Sequence, residues 1–221
     1  PATSVTVLND HSEKGQKTVW FNSRCYRANL LWDEGTMRFR DIHLFDERIA
    51  SDYLTQRGTS SQCFYYTLPF VDGFSWSSTE AVAGLRLKSV EGSELRGGAP
   101  TVSDRIAGEL TVRWPVHSPE GEIVVTFQET SLMISAQGRL RDNWLLELSS
   151  AGQANLPFVD IGTGRVSCAF RKAAYTVSAI EGTFAERPGS GLRIVPVENR
   201  VILDLSVRSG QTGLQQQNRR D

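Results

Sequence analysis

Asp41 and His43 stand two residues apart in the run Arg38-Phe39-Arg40-Asp41-Ile42-His43-Leu44-Phe45-Asp46-Glu47, the densest polar constellation of the chain. In an extended strand, side chains two apart share a face and lie roughly 7 Å apart along the backbone. A carboxylate and an imidazole so placed are candidate catalytic residues, as an acid and base pair or as a histidine oriented by a carboxylate elsewhere. The alternative is structural: Arg38, Arg40, Asp41 and His43 pair with charged neighbours across strands.

A second constellation runs from Cys63 to Ser78, CFYYTLPFVDGFSWSS, and carries more aromatic and proline residues than a solvated loop needs. Asp72-Gly73 predicts a tight turn that sets Phe74 and Trp76 at a sheet edge or rim. Flat aromatic faces stack on the C–H face of a sugar ring, and a nearby carboxylate accepts hydroxyl hydrogen bonds. Asp72, Phe74 and Trp76 are therefore the candidate ligand-binding residues, and a glycan is the ligand their chemistry suggests. Against this stands a packing role, in which the aromatics plug one end of the fold.

Other chemistry lacks its local machinery. The sequence has no GxSxG elbow, HExxH pair, Walker loop or GxGxxG fingerprint. The three histidines, His11, His43 and His117, have no metal-ligand spacing, so neither a metal nor any other cofactor is expected. The segment from Asn9 to Gly15 lacks the alternating oxygen donors of a calcium loop and reads as a surface turn. Carboxylates for glycoside hydrolysis must face each other across a cleft, and Asp41, Asp46, Glu47 and Asp72 can be named only as members of that class. Cys25, Cys63 and Cys168 form neither a disulfide framework nor a CxxC site; buried free thiols are expected, with a Cys25–Cys63 bridge as the alternative in an oxidising compartment.

The elements that must position these residues are strands. Apolar side chains alternate with polar ones in Leu110–Val116, Ile123–Phe127 and Val201–Val207, and again around Trp144–Leu148, Val166–Phe170 and Tyr175–Ala179. Pro115 places its strand at a sheet edge or bulge. Tyr26–Trp32 leads through Asp33-Glu34-Gly35 into Met37–Phe45 as a hairpin. Only Asp46–Arg57 offers a short helix, capped by Asp46. Short strands with Gly-rich turns, and no helix long enough for repeated crossovers, predict an all-β fold: an antiparallel two-sheet β-sandwich over residues 1–208, with a closed or partly open barrel as the alternative. Residues 209–221 lose the alternation and read as a mobile tail or linker.

With 24 basic and 25 acidic residues in 221, the chain has no single-sign field to gather a nucleic acid. No apolar run approaches the roughly 20 residues that span a bilayer, so membrane insertion is not expected. The opening PATSVTVLND has no signal-peptide character; a secreted or periplasmic home is the expectation if a leader has been removed.

The strand-rich pattern, the aromatic segment ending in Trp76 and the polar C-terminal stretch together resemble an accessory β-sandwich domain of bacterial multidomain carbohydrate-active enzymes. The resemblance is architectural and rests on no diagnostic motif. It implies a domain that is non-catalytic by itself and supports or lines the substrate cleft of a catalytic partner domain, such as a glycoside hydrolase. Two other functions are open to the same sequence: a hydrolase acting through its carboxylates, and a structural or protein-binding sandwich that recruits a partner along a strand edge.

Overall fold

A computed structural model describes residues 3–9, 15–47, 49, 67–187 and 191–207, and among them every regular element is a strand. In chain order these are β1 (Ser4–Asn9), β2 (Lys17–Asn22), β3 (Tyr26–Asp33), β4 (Thr36–Leu44), β5 (Leu68–Asp72) and β6 (Gly84–Lys88). There follow β7 (Thr101–Ser103), β8 (Leu110–His117), β9 (Glu120–Phe127), β10 (Ser131–Gly138), β11 (Leu145–Ser149) and β12 (Phe158–Ile161). The last five are β13 (Arg165–Phe170), β14 (Ala173–Glu181), β15 (Thr183–Arg187), β16 (Gly191–Val195) and β17 (Arg200–Asp204).

They form two antiparallel sheets, neither closed into a barrel, as the alternation predicts for a sandwich. The first has the order β1-β2-β3-β4-β6-β11-β16-β15, with β5 as an extra partner of β4. The second runs β12-β13-β14-β17-β10-β9-β8-β7. One lateral side of the sandwich is stitched: the amide of Phe184, in β15, donates to the carbonyl of Thr163, in the turn after β12, at 2.8 Å. On the other side the edge strands are β1 and β7, and no strand pairing joins them among the described residues.

Period-two alternation carries the core. In β8, Leu110, Val112, Trp114 and Val116 are buried while Arg113, Pro115 and His117 are exposed. Pro115 lies beyond the reach of the short β7, whose pairing with β8 covers only Thr111–Arg113; on that flank its carbonyl accepts the Gly98 amide at 2.9 Å, and the Gly98 carbonyl accepts the Trp114 indole N–H at 3.0 Å where proline has no N–H to give. The β3–β4 hairpin turns on Glu34 and Gly35, both at positive φ (46° and 80°), the combination a two-residue hairpin with right-handed strand twist requires.

Aromatic side chains hold the sheets together in two groups. Phe21 packs on Tyr26 and Phe127, and Phe127 meets Phe39 edge-on; farther along, Phe70 meets Phe158 and Phe184 edge-on. Two tyrosines cross between the sheets, Tyr26 Oη donating to the carbonyl of Ser131 at 2.9 Å and Tyr175 Oη to that of Pro69 at 2.6 Å. Burial pushes both phenols well above their ordinary range, so they remain neutral donors. Most of the helix expected over Asp46–Arg57 and the tail expected over 209–221 lie outside the described residues.

Candidate functional site

The site is made by an irregularity in β4. Leu30 of β3 faces Phe39, but Asn29, one residue earlier, faces Asp41, so Arg40 is an extra residue on the β4 side. Such a bulge reverses the phase of alternation. Met37 and Phe39 point into the core before it, Ile42 and Leu44 after it, and the polar side chains Asp41 and His43 come to lie on the outer face. The bulge also marks a fork: β4 pairs with β6 at Arg38–Phe39 and with β5 from Asp41 onward.

The β5 strand brings a second carboxylate to this point. Asp72 is the register partner of Asp41, and His43 lies two residues along, opposite Pro69, after a register shift that leaves Phe70 extra on β5. The chain leaves β5 in the tight turn that Asp72-Gly73 predicts. Asp72 Oδ1 accepts the amides of Phe74 (3.1 Å) and Ser75 (2.8 Å), which leaves Oδ2 free to face His43. Gly73 presses against the bulge: its amide donates to the Arg40 carbonyl at 2.7 Å, and a Cβ here would stand 2.6 Å from that same oxygen. Only glycine fits this closure.

His43 Nε2 lies 3.9 Å from Asp41 Oδ1 and 4.0 Å from Asp72 Oδ2. Both separations exceed a hydrogen bond, and the nitrogen is buried with no hydrogen-bond partner among the described residues. The other ring nitrogen, Nδ1, is held by the Thr67 hydroxyl at 2.7 Å. The imidazole side chain is only 8% exposed, and the two carboxylates 12% and 16%. Burial lowers the His43 pKa to about 4, helped by the charge of Arg27 and opposed by Asp72, so the ring is neutral at neutral pH. Burial raises the Asp41 pKa and Asp72 adds to the rise, while the Arg40 guanidinium pulls it down, its Nε donating to Asp41 Oδ2 at 3.4 Å.

The ring has two ways to use its hydrogen bond with Thr67. With Nδ1–H donating to the hydroxyl, the Nε2 lone pair points at the two carboxylates, an arrangement that calls for a cation among the three. With Thr67 donating instead, Nε2–H points into a gap too wide for either oxygen and suited to a bridging hydroxyl or water. Two further polar atoms close to this row lack partners among the described residues: Asn29 Oδ1, on the residue registered against Asp41, and Arg27 Nε, on the residue registered against His43.

The structure thus gathers Asp41, His43 and Asp72, which the sequence assigns to two separate constellations. It takes Trp76 away from the surface that Asp72 and Phe74 share. Trp76 is 4% exposed and packs edge-on to Phe158 with ring centroids 6.1 Å apart, which makes it a core residue with no stacking face to offer. Phe74, by contrast, is 90% exposed. Sequence reasoning misses Thr67, Asn29 and Arg27. The change of apolar phase between Phe39 and Ile42, with two polar residues between them, is the signal that would have placed the bulge.

The thiols are not part of this site. Cys25 and Cys168 are free, and burial pushes the Cys168 thiol up to about 12; Cys63 lies outside the described residues. No helix among the described residues is long and apolar enough to cross a membrane. No protein-family model, curated protein or solved structure matches the chain.

Proposed function

We propose that this domain binds a divalent metal ion of the zinc or manganese type between Asp41, His43 and Asp72, and presents its open coordination positions to an oxygen-bearing ligand. The observation that supports the reading is the buried, unpartnered Nε2 of a neutral histidine facing two carboxylates at 3.9 and 4.0 Å. Metal–ligand bonds of about 2.0–2.2 Å place two donors of one ion no more than about 4.4 Å apart. The three donor atoms lie within 4.8 Å of one another, and the spacing of about 3.4 Å in a tetrahedral site requires them to draw together by up to about 1.4 Å.

The donor types favour the same class of ion. One imidazole nitrogen with two carboxylate oxygens suits zinc, manganese or iron, whereas calcium and magnesium prefer all-oxygen shells. Thr67 supplies the outer partner that fixes a ligating histidine's tautomer and ring orientation. Three protein ligands leave at least one position for a ligand or water, whose oxygen the ion would polarise. Arg27 and Arg40 balance the two carboxylates and work against the cation, which sets the affinity below that of an all-acidic site.

The test is calorimetric titration of untagged, chelator-treated protein with Zn2+, Mn2+ and Ca2+. One equivalent of Zn2+ or Mn2+ should bind, Ca2+ should bind far more weakly, and His43→Ala should abolish the effect while remaining folded. Absence of saturable binding, or binding that survives His43→Ala, would refute the proposal.

One observation favours a second, compatible reading, the glycan-associated role: Phe74 is exposed on the turn that Asp72 organises, two residues from a proposed metal ligand. An exposed ring beside an oxygen-binding ion suits a sugar, which has both a C–H face and vicinal hydroxyls. A glycan array run with and without Zn2+, on the parent and on Phe74→Ala, tests it. Glycans retained by the parent and lost by Phe74→Ala support this role; an array blank under both conditions removes it.

A further inference from the structure

The unstitched side of the sandwich holds a cavity of about 210 Å³ between the edge strands β1 and β7. Its walls are apolar and come from both sheets: Val7, Val19, Leu30 and Met37 from the first, Val102 and Val112 from the second. Two polar groups interrupt this lining. Lys17 and Trp32 are register partners on β2 and β3, at the same end of the cavity. The alternation of β2 puts Lys17 in phase with the buried Val19 and Phe21, so the ammonium-bearing chain sits on the inward face where a core residue is expected.

Neither group has a partner among the described residues. The Trp32 indole N–H is buried without an acceptor. No carboxylate among the described residues forms an ion pair with Lys17. A buried donor left unpaired, such as the Trp32 N–H, is costly, and long charged side chains ordinarily turn outward to water. Two donors, with no acceptor for them among the described residues, at one end of an apolar cavity define a complementary ligand: an apolar body with a carboxylate at its end.

From this geometry we propose that the cavity is a binding site for a small apolar carboxylate, its hydrocarbon between the sheets and its carboxylate on Lys17 Nζ and the Trp32 N–H. Size restricts the class. An apolar cavity of about 150 Å³ accommodates benzene, so 210 Å³ takes one ring or a short chain plus the carboxylate, not a long-chain fatty acid. Val7 is 46% exposed, which leaves the β1 side of the cavity as the way in. The site shares no residue with the Asp41–His43–Asp72 cluster and stands or falls independently of the metal.

The probe is phenylacetate, with 2-phenylethanol as its uncharged counterpart, titrated into uniformly 15N-labelled protein while the Trp32 indole resonance is followed. Phenylacetate should shift that resonance saturably and bind at least about tenfold more tightly than the alcohol, the difference expected of one charge-assisted hydrogen bond. Lys17→Met should erase this preference, lowering the acid's affinity to that of the alcohol. Val102→Trp, which fills the cavity from the opposite sheet, should block both. A Trp32 resonance that does not move, equal affinity for acid and alcohol, or an acid preference that persists in Lys17→Met would each overturn the proposal. If Val102→Trp does not fold, the first three measurements decide the matter without it.

Discussion

Asp72 is the direct register partner of Asp41 across the β4–β5 ladder, so two carboxylates face each other on neighbouring strands. Like charges directly opposed on a sheet destabilise it. Asp72→Asn keeps an oxygen to accept the Phe74 and Ser75 amides while removing one of the opposed charges. Without added metal it should leave stability unchanged or raise it by up to about 1 kcal/mol. The rise in Tm caused by Zn2+ should disappear in the same variant. Chemical denaturation and thermal melts, each with and without Zn2+, check both halves; marked destabilisation of the metal-free variant would show that Asp72 serves the fold alone.

His43 gives stability a pH dependence of definite sign. Its folded pKa of about 4 lies below the ordinary histidine value of 6.5, so between these two the unfolded chain binds a proton that the native state does not. Stability therefore falls as the pH is lowered through that window, and the loss is complete below the folded value. Asp41 acts in the opposite direction at the acid end, since its raised pKa lets the native state take up a proton first. The metal-free protein should lose stability from pH 6.5 downward, and His43→Gln should flatten this slope. Urea denaturation at closely spaced pH values measures it, and an unchanged slope in His43→Gln would place the titration elsewhere.

Trp76 and Phe74 should separate cleanly. Trp76→Ala opens a cavity beside Phe158 and should cost about 3–5 kcal/mol of folding free energy. Phe74→Ala removes a ring that is 90% exposed and should change stability by less than about 0.5 kcal/mol. Equilibrium unfolding of the two variants side by side reads the contrast, and comparable losses would contradict the burial described above.

Glu147 is the anionic centre of the first sheet's outer face. It is 4% exposed, and Lys88 (2.6 Å), Arg193 (3.0 Å) and Arg187 all converge on its carboxylate. Removing its charge leaves three cations repelling one another, although each retains some access to water. Glu147→Gln should therefore destabilise the protein by about 1–3 kcal/mol, less than the loss of a fully buried pair. The loss should shrink in high salt, which screens the exposed cations. A loss indifferent to salt would point to packing.

The strands and their packing were legible because burial imposes a period of two wherever one face of a strand meets the core: Leu110–Val116 and Val201–Val207 read directly as half-buried strands, although the second ends at Asp204. The shared face of Asp41 and His43 was equally readable, since both lie after the bulge. The approach of Asp72 was not. It depends on β4 exchanging β6 for β5 at a fork, and nothing in the local pattern of residues 68–72 names a partner strand. Trp76 shows the complementary limit. Its composition suits a sugar platform and a core plug equally well, and only the position of Phe158, more than eighty residues away in sequence, decides between them.

The bulge at Arg40 bears on how such a site could arise. Delete that one residue and Phe39, Asp41 and Ile42 fall into ordinary alternation, with every core side chain of β4 still facing inward. The hydrophobic interior has no use for the additional residue; the outer face does, because the bulge is the seat against which Gly73 folds and from which Asp41 meets Asp72. A lineage could therefore gain or lose this centre by inserting or deleting a single codon without renegotiating its core, and length variation at this point of β4 among descendants would record which of them kept the site.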